Sequence, residues 1–320
     1  MNFTKKTLFW FIVLITLSGA FFFFDKKEEA VKQLKEEKLK LLPTAVKDIS
    51  EFWINYIKEN RQIKVVREKD GWQLVQPLSA KGDAKAIEKL LTNVVTSRKD
   101  AVLFEKVEHA KLVELGLGDP EIEMGLKSAN GETVIVFGER GPTNNVAYAM
   151  FKGRPEVYRV HSDLKKEVSQ DAYALRDKTI LDFDPAKMRR LEIVKKGMPR
   201  VVIVQSESKW NMLEPKAGIA SMAKVLEYLF AIKNGEIKAF ADESPADLAP
   251  YGLASPMLQL TIYQEKKEKP YILTIGDKDR AKRGYFAKVN QAKKVFDVEE
   301  GLVDTLILNM DKLLEAGAGA

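Results

Sequence analysis

The amino-acid sequence predicts an α+β protein in which an N-terminal transmembrane helix precedes two tandem copies of a mostly antiparallel sheet domain, each with one main amphipathic helix. Three observations predict it: an uncharged apolar run near the N-terminus, a set of motifs that recurs along the chain, and apolar residues that alternate with polar ones around one helical stretch in each copy. A chain of 320 residues also exceeds what one hydrophobic core usually supports.

The first predicted element is the transmembrane helix at residues 8–24, an uncharged apolar run that follows Lys5 and Lys6. Its length of seventeen residues is at the short end of what crosses a bilayer. A cleaved signal peptide is the alternative, since residues 18–20 are small enough for signal peptidase. Cleavage there would leave the phenylalanines at 21–24 as an exposed apolar end, so we favour an uncleaved signal anchor.

Charges on either side of this run bear on its orientation. The short cytoplasmic tail of residues 1–7 favours domains outside the cytoplasm, although Lys26, Lys27 and Lys32 beyond the run weaken the asymmetry. Residues 25–43 are rich in charges and helix formers, which predicts a juxtamembrane helix. That helix either pairs with a helix of a partner or serves as a solvated spacer, and we favour the spacer.

Four motifs that recur in the same order divide the remaining chain into two copies. Trp72 recurs 138 residues later as Trp210, and the other motifs are displaced by 136 to 138 residues. The pairs are Trp72–Pro77 with Trp210–Pro215, Leu115–Leu117 with Tyr251–Leu253, Ile135–Gly138 with Leu273–Gly276, and Val157–Val160 with Val295–Val298. The copies are therefore predicted at residues 44–181 and 182–320.

Each copy contains one apolar face with helical spacing, which begins after a predicted N-cap, Asp83 or Ser221. The residues predicted to point inward are Ile87, Leu90, Leu91, Val94 and Val95 in the first copy, and Met222, Val225, Leu226, Leu229 and Phe230 in the second. Alternating segments, such as residues 122–126 and 258–262, predict three strands before the helix and about four after it. This order indicates a mostly antiparallel sheet in each copy.

The order of motifs in both copies resembles the bacterial domain-of-unknown-function family 4340. The first copy has Leu115 where the family pattern has an aromatic residue, and the second has Ser221 where aspartate is usual. The resemblance implies a single-span protein of the bacterial inner membrane with periplasmic domains. It also implies partners among integral membrane proteins, an ABC-type transporter permease among them, and no established catalytic set.

Composition argues against several function classes. Lys and Arg number 52 against 46 Asp and Glu, and the net charge of +6 is spread without the concentrated basic surface that nucleic acid requires. No cysteine is present, and neither His109 nor His161 has a second ligand or a positioned base at a suitable spacing. We therefore predict no catalytic residues, no metal site, no cofactor and no nucleic-acid partner.

One loop after Gly276 carries enough positive charge to bind an anionic partner. This candidate site consists of Lys278, Arg280, Lys282 and Arg283. A mobile basic hairpin tip is the alternative that we favour, because no phosphate-binding glycine motif accompanies the loop. The repeated motif residues Trp72, Trp210, Gly138 and Gly276 are instead predicted to be structural anchors.

These observations favour a non-enzymatic, membrane-anchored accessory or scaffold protein outside the cytoplasm, a component of an ABC-type transport or envelope assembly. The alternative is a module that presents a small anionic or lipidic ligand to such an assembly, through the cleft between its copies. An enzyme is the third hypothesis, and the oligomeric state stays open.

Overall fold

A computed structural model describes residues 39–308 except 144, 208, 282 and 291, together with Leu313 and with residues 10, 14, 18, 21–23, 26–28, 36 and 37. The chain divides into two compact units, Met1–Asp177 and Lys178–Ala320. Packing explains why this boundary precedes residue 182, where the sequence motifs had suggested it. Ile180 and Leu181 are buried in the core of the second unit, not of the first.

The first unit is a nine-stranded sheet in which every pair of neighbours is antiparallel. Its strands are β1 (Ile49–Tyr56), β2 (Arg61–Glu68), β3 (Gly71–Gln76), β4 (Ala80–Lys81), β5 (Lys99–Phe104), β6 (Ile122–Ser128), β7 (Gly131–Arg140), β8 (Val146–Phe151) and β9 (Val157–His161). They lie in the order β4-β3-β2-β1-β6-β7-β8-β9-β5. The helices are α1 (Ala84–Thr96), α2 (His109–Glu114), α3 (Asp163–Val168) and α4 (Ala172–Leu175), and a 3-10 turn (Val46–Asp48) precedes β1.

The second unit repeats this topology. Its strands are β10 (Met188–Lys195), β11 (Val201–Ser206), β12 (Lys209–Glu214), β13 (Gly218–Ala220), β14 (Ile237–Asp242), β15 (Leu258–Gln264), β16 (Tyr271–Asp279), β17 (Gly284–Val289) and β18 (Val295–Glu299). The order β13-β12-β11-β10-β15-β16-β17-β18-β14 is that of the first sheet, with each strand replaced by the one nine places later. The helices are α5 (Met222–Asn234) and α6 (Glu300–Leu308), and 3-10 turns lie at Pro185–Lys187 and Ala249–Tyr251.

Helix α1 packs on one face of the first sheet, as its sequence predicts. Asp83 caps it, because its Oδ1 accepts a hydrogen bond from the backbone N–H of Ala86 at 3.1 Å. The buried residues of the helix are those of the predicted face: Ile87, Leu90, Leu91, Val94 and Val95. We call this side of each sheet the inner face and the opposite side the outer face.

Helix α5 turns a different side inward from the one predicted. Its buried residues are Val225, Tyr228, Leu229 and Ile232. Met222 and Phe230, which were predicted to be buried, are 54% and 49% exposed. The helix carries two overlapping apolar stripes, and the one that faces the sheet includes Tyr228 and Ile232. The prediction of the buried face was therefore wrong for the second copy at these two positions.

Each copy is closed by a leucine that returns to the start of its main helix. The N–H of Asp83 donates to the carbonyl of Leu175 at 2.9 Å, and the N–H of Ser221 donates to the carbonyl of Leu313 at 3.2 Å. Leu175 and Leu313 are both buried, and they are 138 residues apart. The repeat therefore extends from the first strand of each copy to this closing residue.

The predicted fold class requires correction. The described chain is mostly antiparallel sheet with few helices, and only α1 and α5 reach thirteen residues. Residues 8–24, predicted as a transmembrane helix, lie largely outside the described residues. Within the described part, no helix is both long and apolar enough to cross a membrane. The apolar run was a weak signal because its length is near the minimum for a span.

The predicted juxtamembrane segment at residues 25–43 also lies mostly outside the described residues. Its last part belongs to the first unit, since Leu41 and Leu42 are buried in that core. The N–H of Leu41 donates to the carbonyl of Ser97 at 2.7 Å, just after α1. The apolar residues at the end of this segment therefore contribute to folding of the first copy.

Candidate functional site

The two repeated tryptophans lie inside the cores. Trp72 on β3 is 3% exposed and Trp210 on β12 is 2% exposed. The ring of Phe52 meets Trp72 edge-on with centroids 5.8 Å apart, and the guanidinium of Arg67 lies 4.1 Å from the Trp72 ring. The prolines that end both motifs follow cis peptide bonds. Neither indole offers a face to a ligand.

The glycines of the first copy allow a loop to pack directly on the outer face of the sheet. A Cβ on Gly138 would lie 2.3 Å from the carbonyl oxygen of Leu115. Gly116 has a φ of +70°, and a Cβ there would lie 2.7 Å from the backbone nitrogen of Glu139. That nitrogen donates to the carbonyl of Leu115 at 2.8 Å. The motif glycines are therefore required by close backbone contact.

The second copy uses the same arrangement. A Cβ on Gly276 would lie 2.0 Å from the carbonyl oxygen of Tyr251. Gly252 has a φ of +67°, and a Cβ there would meet the backbone nitrogen of Asp277 at 2.6 Å. The ring of Tyr251 then packs edge-on against Phe286 with centroids 5.1 Å apart. The repeated Gly-Leu motif and the glycine at the end of the Ile135–Gly138 and Leu273–Gly276 motifs therefore join the loop to the sheet in both copies.

The predicted anion-binding loop lies at the turn between β16 and β17. Lys278 is on β16, and its Nζ donates to the carboxylate of Glu300. This hydrogen bond raises the pKa of Lys278 above its ordinary value. The backbone turn is closed by Asp279, whose Oδ1 accepts from the N–H of Ala281 at 2.9 Å. The charge of Lys278 is therefore already compensated within the protein.

The remaining cations of this loop are at its exposed tip. Arg280 and Arg283 are exposed, and Lys282 lies outside the described residues. The structure adds Lys238 of β14, whose Nζ donates to the carbonyl of Arg283 at 3.3 Å. Sequence reasoning missed Lys238, because it lies 45 residues before Arg283 in the chain. The described cations of the tip are therefore Lys238, Arg280 and Arg283.

Comparison with known families identifies the repeat. The family model described as a domain of unknown function, DUF4340, matches residues 72–229 and again residues 210–316. The chain belongs to the DUF4340 family. The two overlapping matches confirm the predicted tandem copies. No curated protein and no solved structure matches the chain.

The histidines of the first DUF4340 copy occupy local structural positions. His109 is the first residue of α2 and is exposed. The Nδ1 atom of His161 accepts from the backbone N–H of Asp163 at 3.3 Å, at the start of α3. In the part of the chain that the structure describes, no group of three or more His, Asp or Glu side chains is arranged to hold a metal ion.

Two clefts of the first DUF4340 copy, of about 420 and 360 Å³, share Lys165 and Ser169 in their walls. The Nζ of Lys165 lies 3.1 Å from Oε2 of Glu121 and 3.6 Å from Oε1 of Glu139. Lys58 lies 3.5 Å from the other oxygen of Glu121. The hydrogen bond from Lys165 is the main cause that lowers the pKa of Glu121. These lysines are thus partnered by carboxylates.

An exposed apolar stripe on α5 distinguishes the second DUF4340 copy. Met222, Leu226 and Phe230 are spaced at i, i+4 and i+8, so they follow one another along one side of the helix. Leu226 is half-buried, whereas Met222 and Phe230 have about half of their surface exposed. The sequence revealed these three residues as apolar but placed them in the core. Their exposure makes the stripe the candidate functional site.

Proposed function

We propose that this chain is a non-enzymatic accessory protein of an ABC-type transport assembly in the bacterial envelope, and that its second DUF4340 copy binds a protein partner. The observation that carries the proposal is the α5 stripe of Met222, Leu226 and Phe230, which lies on the surface of a folded domain. Contiguous exposed apolar side chains are typical of sites that contact other proteins.

The first copy serves as an internal control for this interpretation. A displacement of 138 residues aligns Met222, Leu226 and Phe230 with Ala84, Glu88 and Thr92 of α1. Helix α1 has the same length as α5 and packs on the same face of the same topology without an apolar stripe. Folding of this domain therefore does not require apolar residues at these positions, and binding is a reason for α5 to carry them.

The stripe fits an apolar helix or groove of the partner. Burial of the exposed half of Met222 and of Phe230 would contribute about 1 kcal/mol for each side chain. Such residues form the centre of an interface when charged residues surround them. Glu227, three residues before Phe230, borders the stripe and forms an ion pair of 2.9 Å with Lys224. A helical or membrane-proximal segment of a permease has the required apolar surface.

A second candidate function is the binding of an anionic ligand at the turn between β16 and β17. The contact of Lys238 with the carbonyl of Arg283 favours it, since it adds a cation to Arg280 and Arg283. The pairing of Lys278 with Glu300 reduces the charge available there. The α5 stripe therefore has the stronger support.

Photo-crosslinking in cells tests the proposal. The full chain, with the photoreactive residue p-benzoylphenylalanine at position 230 or at the equivalent position 92, is produced together with an ABC-type permease of the same bacterium. We expect a crosslink to the permease from position 230 and none from position 92. Crosslinks of equal yield from both positions, or none from either, would contradict the proposal.

Copurification of the same two proteins is then compared between matched variants of the chain. Met222→Ala combined with Phe230→Thr gives α5 the residues that α1 has, and we expect it to reduce recovery of the permease at least about tenfold. Lys224→Ala, on the same helix but outside the stripe, is expected to leave recovery unchanged. Equal recovery with the double variant and the parent chain would show that the stripe does not bind this partner.

A further inference from the structure

Trp53 lies on the outer face of the first sheet, on its central strand β1. It lies on β1 between Phe52 and Ile54, which are both fully buried on the inner face. The register places Trp53 directly opposite Gly125 of β6. Unlike Trp72 and Trp210, its side chain is partly exposed to solvent.

Gly125 allows the Trp53 indole to lie face-on against the strand. A Cβ on Gly125 would lie 2.0, 2.1 and 2.5 Å from the Cζ2, Cε2 and Cη2 atoms of the ring. Such similar short distances to three ring atoms are possible only if this point is beneath the ring face and not beside its edge. One face of the indole is therefore supported by the backbone of β6. The part of the side chain that is exposed to solvent is therefore not this face.

Polar side chains are fixed beside one edge of this ring. Asn55, two residues along β1 on the same face, is paired in register with Glu123. The Nδ2 atom of Asn55 donates to Oε1 of Glu123 at 3.1 Å, and the Nζ atom of Lys152 lies 2.9 Å from Oε2 of Glu123. Glu123 is buried, so this carboxylate is held in place by its two partners. Asn55 retains its amide oxygen, and Lys152 retains further N–H donors.

A second polar pair lies on the other side of the ring. Lys64 of β2 is the register partner of Trp53, and its Nζ lies 3.0 Å from Oε1 of Glu51. Apart from Val66 and Val134, which are half-buried on this face, the side chains next to the ring are polar. A protein interface requires a larger contiguous apolar area than these residues provide.

We propose that the outer face of the first copy binds a β-linked pyranose oligosaccharide, with one sugar ring stacked on Trp53 and its hydroxyl groups hydrogen-bonded by Asn55 and Lys152. A pyranose with equatorial substituents has a flat C–H face about the size of an indole ring, surrounded by hydroxyl groups that both donate and accept. The site offers the matching arrangement: one aromatic face with a donor and an acceptor at its edge.

Single-stranded nucleic acid is the other ligand that stacks on aromatic rings. It also requires cations that neutralise phosphate groups along a groove. The lysines on either side of Trp53, Lys64 and Lys152, each lie within 3.0 Å of a carboxylate oxygen. The surroundings of Trp53 therefore favour a neutral sugar.

The second copy lacks this arrangement. The register pair that corresponds to Trp53 and Gly125 is Glu192 and Thr261. The carboxylate of Glu192 accepts hydrogen bonds from the guanidinium groups of Arg190 and Arg200, each at 2.5 Å. An ion-paired carboxylate and a β-branched residue provide no flat apolar face, so binding is confined to the first copy.

The test uses the full chain with its four tryptophans labelled as 5-fluorotryptophan, whose ¹⁹F resonances are observed separately. Trp53→Phe identifies the resonance of Trp53. Oligomers of four β-1,4-linked glucose or N-acetylglucosamine units are then added. We expect at least one of them to shift the Trp53 resonance and to leave those of Trp72 and Trp210 in place.

Variants measured by calorimetry separate the role of the ring from that of folding. Trp53→Ala is expected to weaken binding of the sugar about tenfold or more, and Asn55→Ala about threefold. Gly125→Ala retains the indole but displaces it from the strand, and we expect it to weaken binding as Trp53→Ala does. A variant of Glu192 in the second copy should have no effect.

Two results would overturn the proposal. One is the absence of any shift of the Trp53 resonance at millimolar concentrations of both oligosaccharides. The other is a shift caused by a single-stranded oligonucleotide and by neither sugar, which would assign the platform to nucleic acid. Circular dichroism of each variant shows whether the domain is still folded.

Discussion

The main helices of the two copies are capped and closed in the same way, but they expose different side chains. Helices α1 and α5 each have thirteen residues, begin at a side-chain N-cap, and are closed by a leucine from the end of their own copy. Nevertheless α1 has Thr92 where α5 has the exposed Phe230. Features that the copies share therefore identify what folding requires, and features that differ identify residues available for function.

On the outer faces, the first copy is the one that carries a partly exposed aromatic residue that the other copy lacks. The first copy has the indole of Trp53 against Gly125, and the second has Glu192 opposite Thr261. Each copy therefore has a surface feature that the other lacks, on different sides of the same fold. Duplication has allowed two surfaces to diverge while the sheet topology is unchanged.

The largest expected effect comes from the shared tryptophans. Trp72→Ala and Trp210→Ala should each lower the free energy of unfolding of their own copy by about 3–5 kcal/mol, because both indoles are buried. Limited proteolysis of each variant, with fragments identified by mass, should show cleavage within one unit and protection of the other. Equal loss of both units from either substitution would mean that the copies do not fold independently.

The shared glycines should give the next largest effect. Gly276→Ala is expected to destabilise the second copy by about 1–3 kcal/mol, because the new Cβ would meet the carbonyl oxygen of Tyr251. Gly301→Ala is the matched control, since that position in α6 has open space around it and alanine favours helix by about 0.5–1 kcal/mol. Urea unfolding of both variants measures the difference. Similar stabilities would show that the loop can move away from the sheet.

The α5 stripe should have little effect on stability. Met222→Ala combined with Phe230→Thr is expected to change the free energy of unfolding by less than about 1 kcal/mol, because both side chains are largely exposed. Leu229→Ala, on the buried side of the same helix, should cost about 2–5 kcal/mol. Thermal unfolding of the double variant and of Leu229→Ala measures this difference in stability. A loss from the double variant as large as that from Leu229→Ala would show that the stripe packs in the core.

The smallest expected effect is a pH dependence that comes from a side-chain pair that the first copy lacks. The hydroxyl of Tyr251 donates to Oδ2 of Asp242 at 2.7 Å, and this hydrogen bond is the main cause that lowers the pKa of Asp242. Since the carboxylate is favoured in the folded state, its contribution is present above the ordinary pKa of aspartate. It is lost as the pH falls through the lowered pKa.

The corresponding residues of the first copy are Leu115 and Phe104, which share a small apolar cluster on the outer face. Tyr251→Phe removes the hydroxyl and retains the ring. We expect the difference in stability between Tyr251→Phe and the parent chain to be present at pH 6 and to shrink as the pH falls toward 2. A difference that does not depend on pH would show that the carboxylate does not depend on this hydroxyl.

Local patterns were sufficient for much of the fold. The tandem copies were predicted from the motif spacing, and the buried face of α1 was predicted because its sequence has a single apolar stripe. The face of α5 was not, since two stripes overlap and only packing against the sheet selects one. The predicted transmembrane helix at residues 8–24 lies largely outside the described residues, and no helix within them is long and apolar enough to cross a membrane.

Contacts between distant strands explain what the sequence did not reveal about the sites. The importance of Trp53 depends on Gly125 being its cross-strand partner, and the register that joins them is not a local property of either strand. Lys238 was missed for the same reason. It donates to the carbonyl of Arg283 in the basic turn, although the two residues are 45 positions apart in the chain. Alignment of the two copies pairs Gly125 with Thr261, and this difference would have identified Gly125 as specific to the first copy.

The pairing of Trp53 with Gly125 also bears on how two similar domains assemble within one chain. Tandem repeats are prone to exchange strands between copies during folding. If β1 paired with β15 in place of β6, Trp53 would meet Thr261, whose Cβ would occupy the space required by the indole. If β10 paired with β6, Glu192 would lose its place opposite Thr261 and lie across from a glycine. The match of a large residue with glycine therefore favours β6 over β15 as the neighbour of β1.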